Sequence, residues 1–383
     1  MLVVCESPPT LDPATANGST MIPAQVLPRL SDDVDLDLVW FADRQAEPSP
    51  EVRARCEAVV RVDVRSAPLS AAAQPLTQLP RATWQRQGGA DVVRRLSERA
   101  DAVYLHGLHV FGHAAALRAP VLAHEVDPWS HYWEQRAVDG TGVRAAYDRG
   151  QARRARRLER RVGVLAGRYV VVNRDDADRL GAQLDRPVDA VPNGVDVGGG
   201  AARGPGEEER DLLVFVGTLD YPPNVAAVHE LCTEVLPLVR QQRPGVRLLV
   251  AGRRPVPSVL ALAGPAVEVL GQVPDVRSVY ARAAVAVYPG VLGRGTKNTV
   301  LEALAVGCPV VAPTQASRGV PAGDHVLHGQ TPRELADQVL VLLGDDDRRR
   351  RAGRQAAVVA AGLPGWDAVA HEYEQLLRAT AGG

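Results

Sequence analysis

The sequence predicts an α/β protein of two domains, each built on a parallel, Rossmann-like sheet. The chain's 383 residues exceed what one ordinary core holds and suit two such domains. Short apolar runs alternate with amphipathic stretches along its whole length, the pattern of parallel strands joined by helices. Near the middle, a run rich in glycine and proline with a short acidic cluster interrupts that alternation.

In the first half the apolar runs predict strands at 2–5, 35–41, 58–62, 102–106, 121–124, 168–172 and 189–191. Met1 leads straight into the first of them, with no basic segment before an apolar run, so no signal peptide or transmembrane segment is expected. The arginine-rich stretch 147–161 resembles a nucleic-acid tract when taken alone. Leu158, Val162 and Leu165 keep helical spacing among the charges, so a solvated helix face is the better expectation. After Pro192-Asn193-Gly194 come Gly198-Gly199-Gly200, Gly204-Pro205-Gly206 and the acids Glu207 to Glu209, a linker composition. A second series of strands follows at 212–216, 246–251, 267–270, 285–288 and 309–312. The tail 366–379 reads as a helix with Trp366, Val369, Tyr373, Leu376 and Leu377 on one face, expected to cross back to the first domain. The expected organisation is therefore 1–193, a linker at 194–210, a second domain at 211–363 and a terminal helix at 364–383.

Composition narrows the partners. Hydrophobic residues make up 46% and charged residues 23%, as in soluble globular chains. The formal net charge of −1 provides no general field for nucleic acid or anionic lipid, so a small ligand held by local charge is expected. Cys5, Cys56, Cys232 and Cys308 are too scattered for a zinc site or a disulfide scaffold, which suggests a reducing cytoplasm and no metal. Almost every cation is arginine, and Lys297 is the only lysine in the chain.

In open α/β sheets ligands collect at the carboxyl ends of strands, where loops and helix N-termini offer free N–H groups. Four such places in the second half carry unusual residues. The strand 212–216 runs into Gly217, where a ligand can approach the backbone, and then to Asn224, which suits an N-cap or a ligand contact. The strand ending at Ala251 meets Gly252-Arg253, and that guanidinium could grip a phosphate or simply face solvent. Gly271-Gln272-Val273-Pro274-Asp275 follows the next strand and could wrap a nucleobase or form a plain turn. The strongest is the fourth: Arg294-Gly295-Thr296-Lys297-Asn298 opens a helix at 299–305. Two cations, a glycine and small donors at a helix N-terminus suit a diphosphate. Glu302, further into that helix, is better placed for ribose hydroxyls than for phosphate.

Taken together, the run 215–224, Gly252-Arg253, 271–277, 294–305 and Pro309-Val310-Val311 resembles glycosyltransferase family 4, and within it the branch of bacterial sugar transferases associated with exopolysaccharide loci. Val191-Pro192-Asn193-Gly194-Val195-Asp196 is similar to that family's interdomain signature. The resemblance covers the second half well and the first half thinly. It implies a GT-B fold of two Rossmann-like domains facing across a cleft. It also implies a nucleotide diphosphate sugar as co-substrate, a UDP- or GDP-sugar, with retention of anomeric configuration and neither cofactor nor obligatory metal.

By the same resemblance Glu302 binds the donor ribose, and the donor set is Gly217, Asn224, Arg253, Val273, Arg294, Gly295, Thr296, Lys297, Asn298 and Glu302. Many members have a glutamate where Arg294 stands; the narrower branch also uses arginine, which makes Arg294 a diphosphate clamp. On the acceptor side the family pattern points to Asn17 and Gly18 in a glycine-containing loop, and to His106, His124 and Asp127 at strand ends facing the cleft. Satisfied structural roles are the competing reading of these polar residues. The implied catalytic group is His124, Asp127, Arg253 and Lys297, acting by front-face displacement in which the departing diphosphate helps take the acceptor proton. The acceptor would be a hydroxyl on a glycan, a lipid-linked sugar or a natural product, with peripheral membrane contact if it is lipid-linked and no nucleic-acid partner. Alternatives are a sugar-nucleotide epimerase of the same fold and a nucleotide-sugar-binding protein without transfer activity. No GxGxxG follows the first strand, which disfavours a dinucleotide dehydrogenase.

Overall fold

A computed structural model of the chain describes residues 1–12, 18–42, 46–64, 77–195, 208–290, 298–318 and 320–382. It divides into two compact units, one made of Met1–Asn193 with Trp366–Gly383 and the other of Gly194–Gly365.

The first unit carries β1 (Leu2–Cys5), β2 (Leu36–Ala42), β3 (Cys56–Asp63), β4 (Val103–His106), β5 (Val121–Glu125), β6 (Arg168–Val171) and β7 (Asp189–Ala190). They form a parallel sheet in the order β3-β2-β1-β4-β5-β6-β7. β1 is buried at every position, because helices cover both faces of a parallel sheet and its strands are then apolar throughout. β3, at the edge, alternates between half-buried and exposed residues instead. The strand order reverses between β1 and β4, the switch point at which open α/β sheets bind ligands. The register aligns Cys5 with His106 and His106 with His124, so the last residues of β1 and β4 share one row with the penultimate residue of β5 at the carboxyl edge.

The helix Trp366–Ala381 belongs to this first unit. Its Trp366, Val369, Tyr373 and Leu377 join the core beneath Trp40, Tyr104 and Val170, while Leu376 is only partly buried. The long helix Gly142–Leu165 turns Ala152, Ala155, Leu158 and Val162 inward and carries its arginines on the remaining surface. Leu165, expected on the inward face, is the last residue of the helix and is exposed. Among the described residues no helix is long and apolar enough to cross a membrane.

The second unit carries β8 (Glu209–Val216), β9 (Arg247–Ala251), β10 (Val267–Gly271), β11 (Ala283–Val287), β12 (Val310–Ala312) and β13 (Val326–His328). Its sheet runs β10-β9-β8-β11-β12-β13, all parallel, with the reversal between β8 and β11. β8 starts two residues earlier than the linker composition suggests, at Glu209. β13 was not expected: it is three residues long, pairs only with β12 and lacks a fully buried run.

One ion pair of this unit lies in the interior. Arg349, on the helix Asp346–Ala361, reaches Glu208 at 3.2 Å, Asp346 at 2.8 Å and the Leu342 carbonyl at 3.2 Å. Both Arg349 and Glu208 are buried. Arg349→Met fills similar volume but strips the Glu208 charge of this partner, so it should cost about 3 kcal/mol, read as a lower urea midpoint.

Candidate functional site

In the second unit the ends of three strands are tied together through the backbone. Gly217 N–H donates to the Ala251 carbonyl at 3.0 Å, Leu219 N–H to Arg253 at 2.9 Å, and Gly252 N–H to Gly271 at 2.8 Å. The close approach depends on glycine. Gly252 has φ +153°, and a Cβ there would lie 1.7 Å from the Gly217 carbonyl oxygen. A Cβ on Gly217 would meet the Asn224 amide nitrogen at 2.9 Å.

Asn224 is not the N-cap that its sequence position suggests. The helix is Pro222–Glu230, because proline takes its first position and Tyr221 becomes the cap. The Asn224 side chain instead donates to the Thr218 carbonyl at 3.1 Å, closing the loop on itself. Arg254, at φ +52°, grips Asp220 with two nitrogens at 2.6 and 3.1 Å. This pairing, with burial opposing it and Arg253 assisting, holds the Asp220 carboxyl below its usual range. Val273, just past the positive-φ Gly271, is half-buried against the unit's core.

Arg294, Gly295, Thr296 and Lys297 lie outside the described residues, which resume at Asn298 as the first residue of the helix Asn298–Ala305. Val300, Leu301, Ala303 and Leu304 bury the inner face of that helix and so fix where its N-terminus points. Two tyrosines that sequence reasoning missed anchor the same end. The hydroxyls of Tyr280 and Tyr288 are 2.5 Å apart, and they reach the Thr299 carbonyl at 3.0 and 3.3 Å. Tyr288 closes the strand run that precedes Pro289-Gly290, a polar residue at an apolar strand's end, and that was the available signal. Glu302 is one turn into the helix and half-buried; burial pushes its carboxyl up to about 7.

In the first unit the strand-end histidines are enclosed. Sequence reasoning expects the imidazoles of His106 and His124 to face a ligand, whereas both are fully buried. His106 meets His124 at 2.9 Å and the Ser19 carbonyl at 2.7 Å, and the Tyr104 hydroxyl lies 2.8 Å from His124. Tyr373, from the C-terminal helix, covers His124 and bonds it at 3.1 Å. Burial lowers His106 to about 4 and His124 well below its ordinary value, so both rings are neutral near pH 7. Gly18 begins the helix Gly18–Val26, with Val126 3.2 Å from where its Cβ would be. Asn17 lies outside the described residues. Asp127 keeps access to solvent, yet the surrounding protein and the Asp176 carboxylate push it up to about 6.

The same carboxyl edge holds a pair absent from the sequence reading. Glu6, the residue after β1, places Oε2 2.9 Å from His109 Nδ1 and 3.1 Å from the His109 N–H. Gly107, at φ +101°, makes the approach possible, since a Cβ there would sit 2.2 Å from the Glu6 carboxyl. Burial would raise Glu6, but the charges of His109 and Arg86 and the His109 hydrogen bond outweigh it and hold the carboxyl well below its usual range. The signal was a glutamate at the end of the first strand and a second histidine three residues after His106. Deeper in, Glu125 receives the Tyr169 hydroxyl at 2.5 Å and is pushed upward by burial and by Glu159.

Residues 210–345 match the family model described as Glycosyl transferases group 1. Comparison of the sequence with curated proteins finds no match. Solved proteins to which the structure is similar over the whole chain include the following. Anabaena HepE, in complex with UDP and glucose, has a TM-score of 0.67 at 14% identity, covering 98% of each chain. Sucrose-phosphate synthase from Thermosynechococcus elongatus has a TM-score of 0.68 at 17% identity, covering 99% of this chain and 98% of that one. WaaG, a glycosyltransferase involved in lipopolysaccharide biosynthesis, has a TM-score of 0.68 at 13% identity, covering 98% and 99%. The chain thus has the fold of the GT-B glycosyltransferases, two Rossmann-like units on parallel sheets, and its second unit carries the sequence pattern of the group 1 family.

Proposed function

We propose that this protein is a glycosyltransferase that moves a hexose-type sugar from a nucleotide diphosphate sugar to a hydroxyl acceptor with retention of configuration. The observation that carries the reading is the match of residues 210–345 to the group 1 family, over the stretch that contains the tied ends of β8, β9 and β10 and the helix Asn298–Ala305. The N-terminal turn of that helix offers N–H groups to a diphosphate, and Arg253, Arg294 and Lys297 add charge. Glu302 receives the ribose hydroxyls. HepE, of similar fold, was solved with UDP and glucose, which favours uridine as the base to try first.

In this reading the leaving diphosphate carries most of the transition-state charge, and the second unit's cations stabilise it there. The acceptor oxygen attacks the anomeric carbon on the face that the diphosphate leaves, and the diphosphate takes the acceptor proton. No metal is invoked, so a chelator should leave the rate unchanged. The scattered cysteines, free in the structure, suit a cytoplasmic setting.

The test is thermal unfolding with UDP, GDP and their sugar conjugates, followed by sugar transfer. A ligand that binds only the folded state raises the transition by mass action, by about 2.7 kcal/mol at a hundredfold excess over Kd. Lys297→Ala should keep the fold and lower turnover at least a hundredfold, about the cost of one transition-state donor. Absence of any shift with every nucleotide would refute the reading.

A further inference from the structure

Glu6, His109 and Trp129 have no part in the donor reading. They meet at the carboxyl edge of the first unit's sheet, beside its switch point. The Glu6 carboxylate accepts from His109 Nδ1 at 2.9 Å, and that fixes the tautomer of the neutral ring: Nδ1 bears the hydrogen and Nε2 keeps its lone pair. The same carboxylate oxygen accepts the His109 backbone N–H, which locks the residue in place. No described residue bonds Nε2, and 15% of the His109 side chain remains exposed while Glu6 is buried at 5%. The His109 ring lies 4.7 Å from the half-buried Trp129 indole at 49°. Trp129 in turn packs edge-on against Tyr132 and tilted against Trp133.

An imidazole lone pair held rigidly beside an indole is a carbohydrate-binding combination. The apolar C–H face of a sugar packs on the aromatic ring while a ring hydroxyl donates to the nitrogen. Gly107 supports this as a built arrangement, because any side chain there would displace the carboxylate that orients the imidazole.

We propose that His109 Nε2 accepts the hydrogen bond of a ring hydroxyl of the acceptor other than the one that reacts, that Trp129 packs against the acceptor's sugar ring, and that Glu6 is the positioning residue for His109. The acceptor is then a sugar or glycoside. This rests on the glycosyltransferase reading and assigns the acceptor subsite within it. The charged and titratable groups around the pair are Cys5 at the end of β1, Arg86 from 86–89, His106 at the end of β4, and His124 and Glu125 on β5. Among the described titratable groups, only Glu6 bonds His109 directly.

The full chain is assayed with UDP-glucose and GDP-mannose against a panel of monosaccharides and methyl glycosides, with UDP binding and donor hydrolysis measured alongside. His109→Phe keeps the aromatic contact and removes Nε2; the expected result is an acceptor KM raised at least tenfold with UDP binding unchanged and melting lowered, since the buried Glu6 carboxylate also loses its Nδ1 partner. Glu6→Gln keeps an oxygen that accepts from His109 Nδ1 and should hold the acceptor KM within threefold, whereas Glu6→Leu releases the imidazole and should raise that KM at least tenfold with UDP binding and donor hydrolysis unchanged, a split that a purely structural glutamate would not produce. An acceptor KM within twofold of wild type in His109→Phe overturns the proposal. So does an acceptor KM in Glu6→Leu within twofold of wild type, or no transfer to any sugar by a wild-type chain that binds UDP and hydrolyses the donor. Loss of UDP binding and donor hydrolysis in the wild type would instead strike the donor reading.

Discussion

Glu302→Gln should stabilise the protein at pH 8 and weaken its hold on the donor at the same time. Burial raises this carboxyl from an ordinary 4.5 to about 7, so between those values the folded state binds more protons than the unfolded one. Stability of the wild type therefore falls as pH rises through that window and stays reduced above it. Glutamine has the same shape and no charge to desolvate, so the difference between the proteins opens above about pH 5 and levels off above 7. The full shift corresponds to about 3 kcal/mol, and the partial solvent access of Glu302 reduces the expectation to about 1–2 kcal/mol. Urea unfolding at pH 5 and pH 8 measures it. A neutral amide is a weaker acceptor for ribose hydroxyls than a carboxylate, and UDP affinity should fall about tenfold. Equal stability of the two proteins at pH 8 would mean that water reaches Glu302 freely.

Gly252→Ala should be the most damaging single methyl group in the second unit. The new Cβ would sit 1.7 Å from the Gly217 carbonyl oxygen, 2.8 Å from its carbon and 3.1 Å from Leu219 Cγ, at a φ of +153°. Two of those contacts are backbone, which has no rotamer by which to retreat. Relief requires the ends of β8 and β9 to part, breaking the Gly217 and Leu219 hydrogen bonds described above. A cost of about 3 kcal/mol or more follows. For a unit of this size that lowers the melting temperature by roughly 6 °C or more. UDP binding should fall with it, since the same loops form the donor site in the proposed function. Gly264→Ala is the control, because a Cβ there meets nothing within 4 Å, and it should be close to neutral.

Most strands were legible because parallel sheets leave a strong trace: β1 and β11 are short apolar runs buried at every position, and no helix could use them so. β13 left no such trace, being an edge strand of three residues with a single buried one. Helix boundaries depended on competition that composition does not show. Asn224 looks like a cap, but Pro222 claims the first turn and moves the cap to Tyr221. The strand-end histidines illustrate a different obstacle. Their sequence position predicted the carboxyl edge correctly, yet whether that edge is open was decided by Tyr373, 249 residues beyond His124. The Glu6–His109 pair is likewise a product of the β1–β4 register, between residues 103 apart, and neither residue is distinctive alone. In the candidate donor site the glycines and Glu302 could be read directly, whereas the Tyr280–Tyr288 anchor required knowing that two neighbouring elements bring their hydroxyls to one carbonyl. The four residues expected to hold the diphosphate most directly, 294–297, fall outside the described residues.

The placement of the helix Trp366–Ala381 in the first unit has a consequence for the order of events during synthesis. The second unit is one continuous stretch, Gly194–Gly365, with all its strands on hand once that stretch has left the ribosome. The first unit begins earlier and is completed later: its sheet strands emerge first, but Trp366, Val369, Tyr373 and Leu377, which seal Trp40 and Tyr104, come last. Until then the His106–His124 pair lacks its Tyr373 cover. The part of the chain made first is thus the part that finishes folding second.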